Sequence, residues 1–427
     1  MSYEETLKYI HNVKWQASKP GLSRTQGLLK SLGNPEKHLK FVHIAGTNGK
    51  GSTAACIASI LRTAGYKTGL YTSPYILRFN ERMQINGEHI SNEELEVLTD
   101  EIRPFADAME DPPTEFELIT ALAMQFFHKN KCDIVVLEVG MGGELDSTNV
   151  IDTPEVAVIT AIGMDHVAEL GSTISEVARA KAGIIKEGGD VVVYGGNDKA
   201  VDNVIEETCR AKNASLYKVD FNRISNKSFD LYASRFEFEP YGPITLPLVG
   251  SYQPYNAAVA VTAAERLRAK GYNITDSDIV EGLRRVSWPG RFEILMHRPA
   301  FVLDGAHNQH GILATAESLK TVFPNRQFVF LLGVMKDKDV DAMMDVIEPL
   351  ALRFVTVRPD NPRAMAAKEL RDRVAKFGKP AEACETITEG VARAVEYAGE
   401  EGLVCALGSL YFSGDVRAAV GMLKAKA

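Results

Sequence analysis

The sequence predicts an α/β fold: a P-loop-type parallel sheet domain with a small antiparallel flap, followed by a smaller Rossmann-like C-terminal domain. Three observations support this prediction. Apolar, strand-like runs alternate with helical segments through the first half of the chain, and a glycine-rich turn joins the first run to the first helix. A second alternating series begins near residue 300. Buried strands separated by helices are typical of parallel sheets that are covered on both faces.

Length and composition indicate an ordinary globular protein with more than one domain. The chain has 427 residues, of which 45% are hydrophobic and 24% are charged. Its net charge of −8 argues against a nucleic-acid partner. The five cysteines are scattered without metal-binding spacing, which indicates reduced thiols. No apolar run approaches the ~18–20 residues of a membrane span and the first residues lack a signal-peptide pattern, so we expect a cytoplasmic monomer without a membrane partner.

The first domain is predicted from a series of strands and helices. It begins with a strand at residues 39–44 and a helix at residues 54–61. The later strands are predicted at Cys132–Val139, Val156–Ile162 and Val191–Tyr194, and the helices at Ser172–Lys186 and Lys199–Ala211.

The pattern changes after residue 220. The runs 229–239 and 244–249 mix polar and apolar residues as an antiparallel flap does, and a helix follows at 256–270. The strands of the second series are predicted at Phe301–Leu303, Phe328–Leu332, Phe354–Val357 and Leu403–Leu407. Because a Pro-Gly pair marks a turn between the two series, we place the domains at 1–293 and 294–427.

The turn at residues 43–53 has the composition of a phosphate-binding loop. It reads His-Ile-Ala-Gly-Thr-Asn-Gly-Lys-Gly-Ser-Thr and lies between an apolar strand and a helix. Converging backbone N–H groups and the helix dipole attract anions, and Lys50 can neutralise phosphate oxygens. Ser52 or Thr53 would offer a hydroxyl to Mg²⁺. Gly51 stands where the usual pattern has Ser or Thr, so the motif is a variant that still predicts a bound nucleoside triphosphate.

A second motif combines a carboxylate with glycines at the end of a predicted strand. Glu138 ends the apolar run 134–138, and Gly140, Gly142 and Gly143 follow it. Nucleotide-binding sheets present a metal-binding carboxylate in this way, and glycines let the chain pass close to a ligand. Since a phosphate loop precedes it, we predict that Glu138 binds a metal ion.

A third motif lies at the carboxyl end of the predicted strand that precedes residue 166. Asp165 and His166 lie there, and Lys181 follows on a predicted helix between small residues. Partial desolvation at such a place would lower the pKa of the lysine. On these residues alone, however, a solvent-facing helix lysine is the favoured interpretation.

Residues beyond the first domain add further candidates. Arg291 could direct its guanidinium toward a phosphate that is being transferred. The segments 304–308 and 407–412 each follow a predicted strand, and the first contains Asp304 and His307. Open α/β sheets bind ligands at such strand ends, so these segments predict a cleft between two facing surfaces.

The combined motifs resemble the folylpolyglutamate synthase/dihydrofolate synthase family of the Mur ligase superfamily of ATP-dependent amide-forming enzymes. The resemblance runs nearly from end to end of the chain, and the variant phosphate loop is itself a feature of this family. The matching motifs are Gly46–Ser52, Thr72–Pro74, Arg78–Arg82, Pro113–Glu117, Leu137–Asn149, Gly163–His166, Lys181–Lys186, Gln253–Asn256, Pro289–Glu293 and Asp304–Asn308.

The resemblance implies four groups of site residues. The catalytic residues it implies are Lys50, His166, Lys181 and Arg291. The ATP-binding residues are Gly49, Lys50, Gly51, Ser52, Thr53, Asn256, Arg291, Asp304 and His307. The ligands of two Mg²⁺ ions are Ser52, Ser73, Glu138, His166 and Lys181. The folate-binding residues are Gly21, Leu22, Ser23, Arg24, Thr114, Glu115, Phe116, Glu117, Leu145, Asp146 and Ser147.

The resemblance also implies that Lys181 is carbamylated by CO₂, so that its side chain becomes an anion that interacts with the second metal ion. This reverses the interpretation of Lys181 as a solvent-facing residue. The modification is chemically sensible because only a neutral amine captures CO₂, which requires a lowered pKa.

The implied reaction is the ATP-dependent addition of L-glutamate to folate through an acyl phosphate, giving ADP and phosphate, and we expect dihydropteroate to be a substrate too. Two alternatives remain. A peptidoglycan-precursor ligase uses the same chemistry but normally has an additional N-terminal domain, whereas only about 40 residues precede the phosphate loop here. A nucleotide-binding switch would use the loop without a second metal site.

Overall fold

The structure is a computed structural model that describes residues 1–12 and 21–425. It contains two compact units. The first consists of Met1–Arg223 and Tyr255–Arg285, and the second of Ile224–Pro254 and Val286–Ala427.

The strands and helices, numbered along the chain, have the following bounds. The strands are β1 (Phe41–Ala45), β2 (Thr68–Tyr71), β3 (Met83–Ile85), β4 (Glu88–His89), β5 (Ile134–Glu138), β6 (Val156–Ile159), β7 (Asp190–Val193), β8 (Ser215–Lys218), β9 (Ile224–Phe229), β10 (Ser234–Phe238), β11 (Gly242–Leu246), β12 (Glu293–His297), β13 (Ala300–Leu303), β14 (Phe328–Leu332), β15 (Ala351–Thr356), β16 (Ala381–Ala383) and β17 (Leu403–Leu407). The α-helices are α1 (Tyr3–Asn12), α2 (Ser23–Ser31), α3 (Lys50–Thr63), α4 (Asn92–Asp107), α5 (Glu115–Lys129), α6 (Val167–Leu170), α7 (Ile174–Ala182), α8 (Lys199–Ala211), α9 (Gln253–Ala269), α10 (Asp276–Arg284), α11 (Gln309–Val322), α12 (Val340–Ile347), α13 (Ala367–Val374), α14 (Ile387–Ala398) and α15 (Ser413–Lys424). Short 3-10 helices lie at Pro35–His38, Phe79–Arg82, Ser147–Val150, Phe221–Arg223, Glu348–Leu350, Ala375–Phe377 and Leu410–Phe412.

The first unit is built on a sheet with the strand order β4-β3-β2-β5-β1-β6-β7-β8. The pairs from β2 to β8 are parallel, and β3 and β4 add an antiparallel edge. The central strands β5 and β1 are buried along their whole length, as expected for a sheet covered on both faces. Two separate apolar clusters, which include Phe127 and Ile205 respectively, pack against different parts of this sheet.

The second unit contains a parallel sheet in the order β12-β13-β17-β14-β15-β16, in which only β12 is antiparallel among the residues described. The flap, β11-β10-β9, is a small antiparallel sheet in this unit. Along β10 the side chains alternate between buried and exposed, which is the period of a strand with one covered face. The predicted α/β fold with its flap and smaller C-terminal domain is therefore confirmed.

The limits of several predicted elements differ from those observed. The predicted helix 172–186 is shorter, because Thr173 and Glu176 form a reciprocal cap at its start and the chain leaves the helix after Ala182. The predicted strand 229–239 contains the end of β9, a turn and β10. Both strands mix polar and apolar residues, so the sequence does not reveal the turn between them.

The two compact units also differ from the predicted domains 1–293 and 294–427. The flap and residues 286–293 belong to the second unit. The physical reason is packing: Val249 lies in the apolar core of that unit, and the Ser251 amide donates to Ser318 Oγ at 2.9 Å.

Two expectations from composition can be compared with the described part of the chain. All five cysteines are buried and unpaired with one another. In residues 1–12 and 21–425, no helix has both the length and the apolar character needed to cross a membrane.

Candidate active site

The phosphate loop connects the carboxyl end of β1 to the first turn of α3. Gly46 and Gly49 both have positive φ angles, 150° and 85°. A Cβ atom on Gly46 would lie 1.9 Å from Thr160 Oγ1, so any other residue would displace the loop from the neighbouring strand. The amides of a first helical turn lack partners within the helix and attract anions. The loop therefore has the shape and polarity of a phosphate cradle.

Thr47 ties this loop to the chain that follows β6. Its amide donates to the Ala161 carbonyl at 2.9 Å, and its hydroxyl donates to the Gly163 carbonyl at 2.8 Å while accepting from the Gly163 amide at 3.1 Å. Sequence reasoning did not single out Thr47, for which a hydroxyl inside the glycine-rich turn is the only signal. The bonds hold the segment that leads to His166 against the phosphate loop.

The two predicted catalytic lysines of this unit meet at one backbone carbonyl. Lys50 Nζ donates to the Gly46 and Thr47 carbonyls at 3.1 and 3.2 Å, and Lys181 Nζ donates to Gly46 at 2.9 Å. Lys181 is only 4% exposed. Burial, followed by repulsion from Lys50, lowers its pKa to about 7, against attraction from Asp165 and Asp146. The interpretation of Lys181 as a solvent-facing residue is therefore wrong.

Asn256 on α9 also lies against the phosphate loop. It is 4% exposed, and a Cβ atom on Gly49 would lie 2.4 Å from its Oδ1. The loop can approach this amide so closely only because Gly49 has no side chain. The predicted ATP-binding residue Asn256 is thus adjacent to the predicted phosphate loop.

Glu138 lies at the carboxyl end of β5, between β2 and β1. It is 4% exposed, and its Oε2 accepts a hydrogen bond from the Ser73 amide at 3.1 Å. Parallel pairing aligns Tyr71 of β2 with Leu137 and Ile44 of β1 with Glu138. The sheet therefore brings Ser73 and Glu138 together at the edge where the phosphate loop begins.

His166 lies at the start of the short helix α6. Its backbone is left-handed, with φ 50° and ψ 47°. Its backbone amide donates a hydrogen bond to Asp165 Oδ1 at 2.9 Å. The His166 side chain is exposed. A left-handed non-glycine residue is uncommon and favours a functional interpretation.

The donor types at this edge suit Mg²⁺. Among the described residues, no group of three or more His, Cys, Asp and Glu side chains is arranged to hold a metal. The predicted set contains only Glu138 and His166 of those types and otherwise relies on Ser52, Ser73 and a modified Lys181. Mg²⁺ prefers oxygen ligands and keeps several waters, so a buried carboxylate and two hydroxyls fit it.

The segments predicted to bind folate converge around α5. Arg24 at the start of α2 forms two hydrogen bonds with the Glu117 carboxylate, 2.9 and 3.0 Å long. Thr114 caps α5 by accepting from the Glu117 amide. Ser147 Oγ lies 2.5 Å from Thr120 Oγ1 on the same helix. The structure therefore brings together three segments that are far apart in the sequence.

Phe116 and Leu145 give this region an apolar part. A Cβ atom on Gly140 would lie 2.4 Å from Phe116 Cζ, which explains why a glycine precedes the loop. Leu145 is 53% exposed, and neighbouring Met141 is 43% exposed. Exposed apolar side chains beside buried polar ones are typical of a site for an aromatic ligand.

In the second unit, Asp304 follows β13 and is 3% exposed. Its Oδ2 accepts from the Tyr252 hydroxyl at 3.1 Å and from the Phe292 amide at 2.7 Å. Its Oδ1 accepts from the Ala306 amide at 2.8 Å and from Thr315 Oγ1 at 3.0 Å. Sequence reasoning missed Tyr252, Phe292 and Thr315 as partners because each comes from a different segment of the chain.

Arg291 lies over the turn after Asp304. A Cβ atom on Gly305 would be 2.2 Å from Arg291 Nη1, so the guanidinium lies directly against the backbone of this glycine. The predicted strand ends 304–308 and 407–412 are adjacent, since the Gly408 amide donates to the Ala306 carbonyl at 2.8 Å. His307 Nδ1 lies 2.8 Å from the Gly305 carbonyl. The second unit thus gathers its predicted residues at one sheet edge.

Comparison with protein families matches both parts of the chain. Residues 44–264 match the Mur ligase middle domain, and residues 290–410 match the Mur ligase glutamate ligase domain. The chain belongs to the Mur ligase family. The first match begins in β1 immediately before the phosphate loop, and the second begins one residue before Arg291.

Individual relatives extend nearly over the whole chain. A Bacillus subtilis dihydrofolate synthase/folylpolyglutamate synthase is 38% identical over 97% of this chain and 98% of its own length. A Lacticaseibacillus casei folylpolyglutamate synthase is 37% identical over 86% of this chain and 87% of its own. The predicted resemblance to this family is confirmed.

Solved structures agree with these relatives. A Mycobacterium tuberculosis folylpolyglutamate synthase complexed with ADP and AMPPCP has a TM-score of 0.90 and 29% identity, covering 98% of this chain and 99% of its own. An FPGS–AMPPCP–folate complex has a TM-score of 0.87 and 34% identity, also covering 98% of this chain and 99% of its own.

Proposed function

We propose that this protein is an ATP-dependent ligase that adds L-glutamate to folate, and that it also converts dihydropteroate to dihydrofolate. The observation that carries the proposal is a glycine-rich phosphate loop whose Gly46 carbonyl accepts from both Lys50 and Lys181, in a chain 38% identical to a synthase of this kind. The substrates are therefore ATP, L-glutamate and a folate or pteroate.

The reaction follows from the charges of the reactants. A carboxylate and an amine do not condense directly because hydroxide is a poor leaving group. Transfer of the γ-phosphoryl group of ATP to the substrate carboxylate releases ADP and gives an acyl phosphate. The glutamate amine then attacks the acyl carbon, and the tetrahedral intermediate loses a proton and expels phosphate. Catalysis is consequently mainly positioning and charge neutralisation.

The chain's own residues have separate tasks in this scheme. The phosphate loop with Gly49, Lys50, Gly51, Ser52 and Thr53 holds the ATP phosphates, and Asn256 supports it. Arg291 neutralises the transferring phosphate, and Asp304 and His307 contribute to nucleotide binding. Ser52, Ser73, Glu138 and His166 would hold Mg²⁺, which supplies charge neutralisation at the phosphates when bound.

Lys181 is proposed to carry a carbamate. The protonated lysine first releases one proton, and the neutral Nζ then attacks CO₂. As the C–N bond forms, one C=O π bond opens and a second proton leaves to solvent, so that a cation has become an anion. The lowered pKa of about 7 supports this step because it makes the neutral amine available near neutral pH. The carbamate would then support the second Mg²⁺.

The folate site is proposed at the segments that surround α5. The Arg24–Glu117 pair, Thr114 and the Leu145–Ser147 segment supply polar groups, while Phe116 supplies an aromatic face. Aromatic stacking with fixed polar contacts is the usual way to bind a flat heterocycle such as a pterin.

A parallel assay tests the proposal. Purified protein is given ATP, Mg²⁺ and labelled L-glutamate, with dihydropteroate in one reaction and tetrahydrofolate in the other. We expect labelled product in both and one phosphate released per glutamate incorporated. Phosphate release that does not depend on glutamate would instead identify a nucleotide-binding switch. Activity with a peptidoglycan precursor alone would assign the protein to the other branch of the superfamily.

A further inference from the structure

A buried chain of hydrogen bonds links β1 to the loop at residues 140–149. His43 Nε2 lies 2.9 Å from Thr148 Oγ1, and Thr148 Oγ1 lies 2.6 Å from Asp146 Oδ1. His43 and Thr148 are fully buried, and Asp146 is 7% exposed. His43 has no part in the proposed chemistry, although it is an ionisable residue in the strand that leads into the phosphate loop.

The donor-to-acceptor direction of these hydrogen bonds follows from the other hydrogen bonds that Asp146 accepts. Asp146 Oδ1 also accepts from the Thr148 amide at 3.0 Å, and Oδ2 accepts from the Met141 amide at 2.9 Å. A carboxylate surrounded by donors is an acceptor, so Thr148 donates its one hydroxyl hydrogen to Asp146. Thr148 must then accept from His43 Nε2–H. The hydrogen-bond chain therefore runs from His43 to Asp146.

The unpaired atom of His43 supports this direction. Nδ1 is buried, and it has no hydrogen-bond partner among the residues that the structure describes. In the direction given above, Nδ1 carries only a lone pair, whereas the reverse direction would bury an unpaired N–H donor there, which costs more. Burial, with a smaller contribution from Lys186, lowers the pKa of His43 to about 3, so the imidazole is neutral.

The loop at residues 140–149 also forms hydrogen bonds with other parts of the protein. The Asn149 amide group donates to the Glu144 carbonyl at 2.9 Å and to the Gly183 carbonyl at 3.1 Å, just after α7. Ser147 Oγ lies 2.5 Å from Thr120 Oγ1 on α5. The hydrogen bond between His43 and Thr148 connects the loop to β1 through two side chains that are completely buried.

We infer that His43 and Thr148 are positioning residues. Through Asp146 they hold the Leu145–Ser147 segment against the strand that carries the phosphate loop, in the geometry that binds the pterin end of the substrate. This inference rests on the proposed function, because it assigns the substrate of the Leu145–Ser147 segment. It gives a buried histidine and a buried threonine a role in substrate affinity without contact with the substrate.

A set of matched threonine variants tests the inference. Thr148→Val keeps the shape of the side chain but removes the hydroxyl, whereas Thr148→Ser keeps the hydroxyl. Thr99→Val is the control, since Thr99 is also fully buried but its hydroxyl donates to the Leu95 carbonyl of its own helix, at 2.7 Å. Steady-state kinetics are measured with the folate, glutamate and ATP concentrations varied in turn.

We expect Thr148→Val to raise the KM for the folate substrate roughly 10-fold or more, because two buried partners lose their hydrogen bonds, with the KM for ATP changed less than about 3-fold. Thr148→Ser should restore the folate KM to within about 3-fold of the parent protein. An unchanged folate KM in Thr148→Val, or an equal increase in Thr99→Val, would overturn the inference.

Nitrogen-15 NMR of the histidine side chains provides a readout that does not need activity. We expect His43 to be the neutral Nε2–H tautomer from pH 5 to 8, and its signals to move in Thr148→Val. A Nδ1–H tautomer in the parent protein would contradict the direction of the chain, whether or not Thr148→Val folds. Failure of the protein to use any folate would refute the proposed function, while the NMR result would still decide the hydrogen-bond chain.

Discussion

The side-chain nitrogens of Lys50 and Lys181 both donate to the carbonyl oxygen of Gly46, at 3.1 and 2.9 Å. Two cationic groups at one acceptor repel each other, and only Lys181 is almost completely buried. Its proton is therefore the one that is released more easily. This arrangement joins the phosphate loop to the residue that is proposed to capture CO₂.

We predict that Lys181→Ala lowers amide formation roughly 100-fold or more, since the carbamate that supports the second Mg²⁺ is lost. Added formate or acetate should restore part of the activity by replacing the missing anion. Turnover with labelled glutamate measures both effects. Lys199→Ala, an exposed lysine at the start of α8, is the control and should behave like the parent protein. Near-normal turnover in Lys181→Ala would show that no carbamate is needed.

The lowered pKa of Lys181 also predicts a pH dependence of stability. The unfolded lysine has its ordinary value of 10.5, while the folded one has about 7, so between these values the unfolded state holds the extra proton. The free energy of unfolding should therefore rise with pH across this range relative to Lys181→Met, by at most ~1.4 kcal/mol per pH unit. Urea unfolding in CO₂-free buffer at pH 7 to 9 measures it. Parallel curves for the two proteins would mean that Lys181 keeps an ordinary pKa.

Glu138→Gln should keep the volume of the side chain but remove the metal-binding charge. We expect turnover to fall roughly 100-fold and the Mg²⁺ concentration for half-maximal rate to rise, as for loss of metal-assisted charge stabilisation. Asp133→Asn, which changes an exposed carboxylate beyond the other end of β5, serves as the control. A small rise in the Mg²⁺ requirement without loss of maximal turnover would place Glu138 outside the metal shell.

Gly49→Ala tests the contact between the phosphate loop and Asn256. The new Cβ would lie 2.4 Å from Asn256 Oδ1, and the positive φ of 85° adds strain. We expect the KM for ATP to rise about 10-fold while the KM for folate stays within about 3-fold. Gly65→Ala is a matched control, because Gly65 has φ +90° and no atom of the described residues lies within 4 Å of the added Cβ. Equal effects of the two changes on ATP would show that backbone strain alone is responsible.

Much of this arrangement was predictable because it depends on neighbouring residues. The strands Phe328–Leu332 and Leu403–Leu407 and the helix Lys199–Ala211 have the predicted limits, since each is an unmixed apolar run or a regular helical pattern. Gly46 and Gly49 identify the phosphate loop in the same way, because a left-handed turn before a helix is a local property.

Contacts between distant segments were not predictable from local patterns. The sequence alone favoured an exposed Lys181, and its burial depends on how α7 packs beside the Gly46 carbonyl. His43 looks like one more residue of a buried strand until Thr148 is placed beside it.

The sequence by itself determined the α/β class, the phosphate loop and the motifs that resemble this family, because spacing and residue type carry that information. Only the tertiary structure decided which of those residues meet and how deeply Lys181 and His43 are buried. Burial and contacts in turn decide the protonation state of Lys181 and the tautomer of His43. Desolvation and hydrogen-bond direction depend on every neighbour in three dimensions, and no single segment of the chain contains them.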